Sequence, residues 1–368
     1  MLQSLPATAR FVVCPALRMC FMSARGMKSG GPRSGGARLH DPQTGGTRSA
    51  DTLAARRARR RFRRHIVRSG QRPRLFATAA ALSLLILSGA GQAAEPSTPG
   101  AYVLRDDLQR DVTFNRPPQR IITMLPSLTE TVCALGACDR LVATDRFSNF
   151  PARVNALPKA GGLDDAEVES IVSLKPDLIL VSRSQRITQR LRQLGVQSFA
   201  VETQTFDDIA RTVKIIGLIL GLSERASLLT RSIAAAVDDI AARSQARWHG
   251  QGPLIYYEVD GGPYAAGTES FIGGLLARLG GRNIVTDLGP FPRLNPEYVV
   301  RHNPDVIFAS AADVAHLAER PGWATIRAVR EQRTCSFTAQ ISDTIVRPGP
   351  RVPEGMRALA ECLHRVAP

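Results

Sequence analysis

Two hydrophobic periods alternate through most of this chain. Short apolar runs bounded by Pro, Asp or Gly are followed by segments whose apolar positions recur at three- and four-residue spacing. The runs predict buried strands, and the spaced segments predict amphipathic helices. Residues 102–114 read as a hairpin with a polar turn at Asp106 and Asp107, ended by Pro117 and Pro118. A strand is then expected over 120–125. A helix follows over 127–135, with Ser127 as cap, Glu130 completing a capping box and Gly136 as terminator. Strands over 141–143, 178–181 and 198–201 alternate with helices over 166–174 and 187–194. Such alternation builds a parallel α/β lobe.

Between Phe206 and Trp248 the only turn signal is Gly221-Leu222-Ser223, which predicts one helix to about Leu220 and one long helix over 223–248. After Pro253 the alternation restarts. Strands are expected over 254–258, 283–285, 306–309 and 334–337, with helices over 270–279, 296–301, 323–329 and 353–364. The fold class is therefore α/β, with lobes over 95–222 and 249–368 joined by the helix 223–248. Residues 168–179 and 296–307 echo each other, each placing a Glu on a short helix and then Pro-Asp at the start of a strand (Glu169 with Pro176-Asp177, Glu297 with Pro304-Asp305). A repeat of this kind predicts a pseudo-symmetric cleft between the lobes.

Charge changes the picture only at the N-terminal end. The formal net charge is +16, but residues 1–94 hold 17 Lys and Arg against 2 Asp and Glu, leaving 31 against 30 in residues 95–368. Phosphate-backbone binding needs a dense cationic field on the folded part, so no nucleic-acid partner is expected. The leader runs from a basic stretch (56–74) through an apolar core (75–87) to small residues ending in Ala93 and Ala94, the order of a secretory signal peptide. Its apolar core is shorter than the roughly 20 residues of a spanning helix. Residues 1–55 are expected to be disordered or non-native, with translation starting nearer the core, at Val67. No cysteine follows the core to carry a lipid. The expected product is exported and soluble.

Four cysteines remain beyond the leader. Cys133 with Cys138, around Gly136, and Cys335 with Cys362 are the disulfide pairs expected in an exported chain, with four buried thiols as the alternative. Enzymatic machinery is thin: there is no nucleophile elbow, Walker loop or His-Glu-x-x-His helix, and His249, His302, His316 and His364 are scattered. No catalytic or metal-ligating residues are assigned.

Arg120-Ile121-Ile122 with Pro126-Ser127-Leu128-Thr129-Glu130, the two Glu…Pro-Asp units and the long helix resemble the class III periplasmic binding proteins, and within them the vitamin B12-binding family. The resemblance covers about residues 115–365. It implies two α/β lobes with parallel-type sheets bridged by one rigid helix, with little closure on binding. It further implies a non-enzymatic monomer with no intrinsic cofactor, which captures a metal chelate, foremost a cobalamin-like corrinoid, and delivers it to the permease of an ABC importer. Glu169 and Glu297 match the paired acidic residues that dock on permease arginines in that family.

A cleft for a planar chelate needs apolar walls and a few polar groups. Phe147, Phe150, Tyr264, Phe291, Asp343 and Arg347 are the candidates, each in a loop after a strand. Tyr264, Phe291, Asp343 and Arg347 also fall where the B12-binding pattern has an aromatic, a tryptophan, an aspartate and an arginine. The first lobe departs from that pattern, with Ser182 and Gly162-Leu163 where aromatics are expected. A ferric siderophore is the alternative ligand, with Arg183, Arg186, Arg293 and Arg347 facing an anionic complex. Haem ranks lower, because residues 161–165 supply no axial Tyr or His. A secreted enzyme that processes metal chelates is the alternative of another class.

Overall fold

The computed structural model describes residues 100–368 apart from 163, 185, 186, 260, 261 and 263. The signal peptide expected within residues 1–94 lies outside the described residues. The described chain opens with an antiparallel hairpin, β1 (Tyr102–Arg105) and β2 (Asp111–Phe114), in which Tyr102 stacks on Phe114. Next come β3 (Ile121–Thr123), α1 (Pro126–Ala134), β4 (Leu141–Thr144), α2 (Val168–Ser173), β5 (Leu178–Val181), α3 (Ile187–Gln193) and β6 (Ser198–Ala200). The last four strands form a parallel sheet in the order β4-β3-β5-β6.

Along β5, Leu178 and Leu180 enter the core on one face while Ile179 and Val181 enter a second core on the other. A strand covered on both faces must be apolar at every position, which explains its unbroken run in the sequence. Each such side chain contributes roughly 1.5–3 kcal/mol by leaving water.

Two helices connect the sheets, α4 (Phe206–Leu220) and α5 (Ser223–Trp248). Thr205 and Asp208 form a reciprocal capping box on α4, and Gly221 ends it in the left-handed conformation. The 26 residues of α5 span about 39 Å at 1.5 Å per residue. The two helices touch at Gly217, where a Cβ would lie 2.3 Å from that of Ala226, so any larger residue would drive them apart. The far end of α5 is fixed by Ser244 Oγ and Trp248 Nε1, which both donate to the Leu279 carbonyl (2.8 and 3.0 Å).

The second half comprises β7 (Leu254–Val259), β8 (Tyr264–Ala265), α6 (Phe271–Arg278), β9 (Arg282–Asn283), α7 (Pro296–His302), β10 (Val306–Phe308), α8 (Ala311–Val314), α9 (Arg327–Arg330), β11 (Thr334–Cys335), α10 (Ala339–Val346) and α11 (Val352–Val366). β11, β10 and β7 run parallel, β9 joins the start of β7 in parallel, and β8 joins its end antiparallel. The order β9-β7-β10-β11 repeats β4-β3-β5-β6, with the first strand of each half inside the sheet.

The sequence echo has a physical basis in this repeat. The Asp177 carboxylate accepts the N–H groups of Gln119 and Arg120 (2.7 and 2.9 Å), and its own N–H donates to the Arg120 carbonyl. Asp305 does the same to Leu254, accepting its N–H at 2.8 Å and donating to its carbonyl. The Pro-Asp units therefore latch β5 to the start of β3 and β10 to the start of β7. Lys175 and Asn303, just before the prolines, both take positive φ (47° and 43°), which ends the preceding helix sharply.

Three local expectations are corrected. Leu125, not Ser127, is the N-cap of α1, with Pro126 in its first turn, and Glu130 is buried and turned away from the helix end. The segment 323–329 is broken into a single turn at Trp323–Thr325 and the short α9. The stretch around Asp343 and Arg347, expected as loop, is the helix α10, capped by Thr338, with Arg347 as its C-cap.

Candidate functional site

The loops leaving the C-terminal ends of β3, β4, β5 and β6 face the segments before α6 and α7 and the end of α10. Together they enclose a cavity of about 600 Å³, within the roughly 300–1,000 Å³ usual for small-molecule sites. This is the crevice outside the carboxyl ends of parallel strands where α/β folds bind ligands. Phe147 and Val201 from the first half, and Phe271 and Phe291 from the second, supply its apolar surface. The first turns of α1, α4 and α6 reach it through Ser127, Thr205 and Ser270. Helix N-termini carry partial positive charge and suit carbonyl or other oxygen acceptors.

Four of the six expected ligand residues line this cavity: Phe147, Phe291, Asp343 and Arg347. Phe150 does not. It points outward, 41% exposed, beneath the Arg351 guanidinium at 3.9 Å. Tyr264 sits in β8, half-buried against the core, with its backbone bridged to Arg293. Glu169 and Glu297 are exposed in the first turns of α2 and α7. Cys133 is bonded to Cys138 and Cys335 to Cys362, with Cα separations of 4.1 and 6.0 Å. Arg183 and Arg293 are exposed and line no part of the cavity, and Arg186 lies outside the described residues.

Space explains the missing aromatic at Gly162. A Cβ there would lie 2.8 Å from Asp165 Oδ1 and 3.3 Å from both Arg146 Nε and a Phe147 ring carbon. The place is taken by Phe147 and by the Arg146–Asp165 ion pair. At Ser182, the hydroxyl donates to Glu202 Oε2 (3.0 Å) and holds that carboxylate at the cavity edge.

The loop that carries Phe147 is set from below. Asp145, fully buried, accepts the Phe147 N–H at 2.8 Å and the Ser148 hydroxyl, and Ser148 continues through Thr129 to Thr123 at 2.7 Å per step. Lys159 Nζ closes the base, donating to Thr144 Oγ1 and the Ser148 carbonyl (2.9 and 2.8 Å). Burial pushes the Asp145 carboxyl up against the opposing pull of Ser148, the Phe147 N–H and the nearby cations, and burial pushes the Lys159 ammonium down.

Arg347 spans the cleft. Its guanidinium pairs with Glu130 (3.0 Å), donates to Asn149 Oδ1 (2.8 Å) and the Phe147 carbonyl (3.3 Å), and pairs with Asp343 on its own helix (2.8 Å). Asn149 Nδ2 donates back to Asp343 at 3.0 Å, and Arg351 approaches Glu130 at 3.6 Å. The Glu130 side chain is 2% exposed; burial raises its carboxyl and the two arginines oppose that shift. Glu130, Asn149, Phe271, Glu202 and Glu269 were not anticipated from the sequence. The helical spacing of Ile341, Ile345 and Val346 after Thr338 was the one signal that could have placed Asp343 on a helix.

Each cation of the cavity wall is committed: Arg146 to Asp165, Arg347 to Glu130 and Asp343. Glu202, Glu269 and Asp343 add carboxylates to the same wall. No described lining residue is His, Tyr, Cys or Met. The wall therefore offers aromatic faces, hydroxyls, amides and anionic oxygens, and little free positive charge.

Two parallel-sheet halves, a long connecting helix and a cleft at the strand ends define a solute-receptor architecture. Residues 121–340 match the periplasmic binding protein family, and the chain belongs to it. Among its relatives is an uncharacterized ABC transporter substrate-binding lipoprotein, YvrC, of Bacillus subtilis, 28% identical over 77% of this chain and 94% of that protein. The cobalamin-binding protein of Halobacterium salinarum is 29% identical over 69% of this chain and 71% of its own. A solved structure from Staphylococcus epidermidis, called a possible iron-binding (periplasmic solute-binding) protein, superposes with a TM-score of 0.61 at 27% identity, covering 68% of this chain and all of that one. No helix among the described residues is long and apolar enough to cross a membrane.

Proposed function

We propose that this protein is the soluble periplasmic receptor of an ABC importer, and that as a monomer it captures a cobalamin-like corrinoid and hands it to the membrane permease without altering it. The observation that carries the ligand class is the wall of the cleft. A corrinoid presents apolar ring faces and an uncharged amide rim, which Phe147, Phe291 and Phe271 and the hydroxyl and carboxylate oxygens complement. An anionic ferric chelate would need uncommitted arginines there. The cobalamin-binding relative favours the same reading. A ferric chelate is the second reading, favoured by the similarity to the structure called a possible iron-binding protein. Phe147, Phe291, Asp343 and Arg347 are the ligand contacts in this proposal. Glu169 and Glu297 are the permease contacts: exposed carboxylates in corresponding helices of the two repeats can meet a two-fold permease with one charge pair per half.

Calorimetric titration of the purified protein with cyanocobalamin, dicyanocobinamide, haemin and a ferric tris-catecholate tests the ligand class. A corrinoid Kd below about 1 μM, some 8 kcal/mol of binding free energy, is expected. Tighter binding of the ferric catecholate than of either corrinoid would transfer the assignment to iron. For docking, Glu169→Arg with Glu297→Arg should abolish uptake into cells carrying the cognate permease while cyanocobalamin affinity stays within about threefold. Uptake at the wild-type rate would remove these residues from the permease contact.

A further inference from the structure

The carboxylate that most shapes the cleft does not touch it. Glu130 lies behind Arg347, outside the cavity lining, and enters from the opposite half of the molecule, 217 residues away in sequence. Arg347 lines the cavity and bonds to both halves, and its side chain is 9% exposed. Without Glu130, its guanidinium would keep the neutral acceptors Asn149 Oδ1 and the Phe147 carbonyl, with Asp343 as its one remaining carboxylate; that side chain is 35% exposed. Arg351 would lose its contact with Glu130 and keep Glu354 (3.0 Å) and the Phe150 ring. The local charge would rise by one directly behind the cavity wall, where little water screens it.

We infer that Glu130 is the specificity-determining positioning residue of this cleft: by neutralising Arg347 from across the lobes, it keeps the site from accepting anionic chelates. The inference deepens the corrinoid reading and rests on it for the identity of the preferred ligand. The role assigned to Glu130 concerns charge selection and can be read on any chelate. The residue acts through Arg347, and what it controls is whether that guanidinium stays committed to the protein or turns to meet a rim carboxylate. A purely structural Glu130 would lose affinity for neutral and anionic ligands alike when replaced. A selecting Glu130 moves them apart.

The test uses the full mature protein and two planar chelates: haemin, with two anionic propionates, and cyanocobalamin, with an amide rim. Glu130→Gln keeps the shape and removes the charge. The haemin-to-cyanocobalamin affinity ratio should rise at least about tenfold over wild type. Glu130→Asp, which restores the charge, should bring the ratio back toward wild type, and Glu130→Gln combined with Arg347→Gln should erase the gain. A folded Glu130→Gln protein with an unchanged ratio overturns the inference, as does a gain that survives in the double variant. Should Glu130→Gln not fold, Asp343→Asn removes the other carboxylate from the same guanidinium, and because Asp343 also lines the cavity its rise in the ratio must disappear in Asp343→Asn combined with Arg347→Gln for the inference to stand. Failure of wild-type protein to bind cyanocobalamin would strike the corrinoid assignment alone. The change in haemin affinity between wild type and Glu130→Gln would still read the role of Glu130.

Discussion

Replacing Arg347 by Ala removes the only side chain among the described residues that bonds Glu130 at hydrogen-bond distance. The Glu130 carboxylate, 2% exposed, is then left with Arg351 at 3.6 Å. Breaking a buried pair from one side costs about 3–5 kcal/mol because the surviving charge stays out of water. Arg351 remains near, so the lower end, about 3 kcal/mol, is expected, a fall in Tm of about 6–12 °C for a chain of this size. The pH dependence carries more information than the size. Burial already raises the Glu130 carboxyl, and Arg347 is the main influence pulling it back. In Arg347→Ala the folded carboxyl takes up its proton at higher pH still, while the unfolded carboxyl titrates near its usual value of about 4.3. Between those limits the native state binds more protons than the unfolded state, so stability rises as pH falls. Asp145, also raised by burial and also lowered by Arg347, shifts with the same sign. The gap between wild type and Arg347→Ala should therefore be widest near pH 8 and narrower at pH 5.5, measured by urea unfolding at both. A gap that is constant, or that widens toward acid, would refute a buried, unpaired Glu130 as the source of the loss.

The latch aspartates should differ in weight despite their matched roles. Asp305 is 6% exposed and also holds Arg327, whereas the backbone bonds of Asp177 lie at an exposed site, so Asp305→Ala should lower the urea midpoint clearly more than Asp177→Ala. Equal losses would argue against burial as the deciding variable. The Cys335–Cys362 bridge closes a loop of sequence separation 27, and Cys133–Cys138 one of separation 5. Chain entropy then assigns about 3.5 and 2 kcal/mol respectively. Cys335→Ser with Cys362→Ser should accordingly destabilise more than Cys133→Ser with Cys138→Ser in equilibrium unfolding, and the reverse order would refute the entropic account.

What was legible in the sequence followed local periodicity. The run 178–181 is apolar at every position because both faces of β5 are covered, and the long helix shows its stripe through Ile233, Val237 and Ile240, all buried. The Pro-Asp echo was visible because each half uses the same latch at the same place. Errors arose where a residue is claimed by a distant partner. Ser127 and Glu130 have the spacing of a capping box, yet Pro126 starts the helix and Glu130 is drawn into the molecule by Arg347. Nothing in the neighbourhood of either residue announces that pairing, since the two are far apart in the chain and meet only when both sheets are complete. Gly162 misleads in the opposite sense: an absent aromatic reads as a missing wall, although Phe147 already occupies the space.

The two connections between the halves differ in kind, and the difference bears on how the receptor opens. On the side of α4 and α5 the link is apolar and continuous, one core running from Leu128 and Val213 through Val237 to Leu275 and Leu359. Packed cores resist graded deformation, so this side acts as a fixed spine. On the cleft side the link is polar and local, gathered on Arg347, Asn149, Glu130 and Asp343. Hydrogen bonds of this kind exchange with water or with a polar ligand rim at modest net cost. Motion of the halves should therefore pivot about the spine and be read at the polar strut. A ligand that engages Asp343 or Arg347 competes directly with the bonds that set the width of the cleft. With the proposed ligand contacts, recognition and lobe separation would share the same few side chains, so a substitution that loosens the strut should alter selectivity even with every aromatic wall left in place.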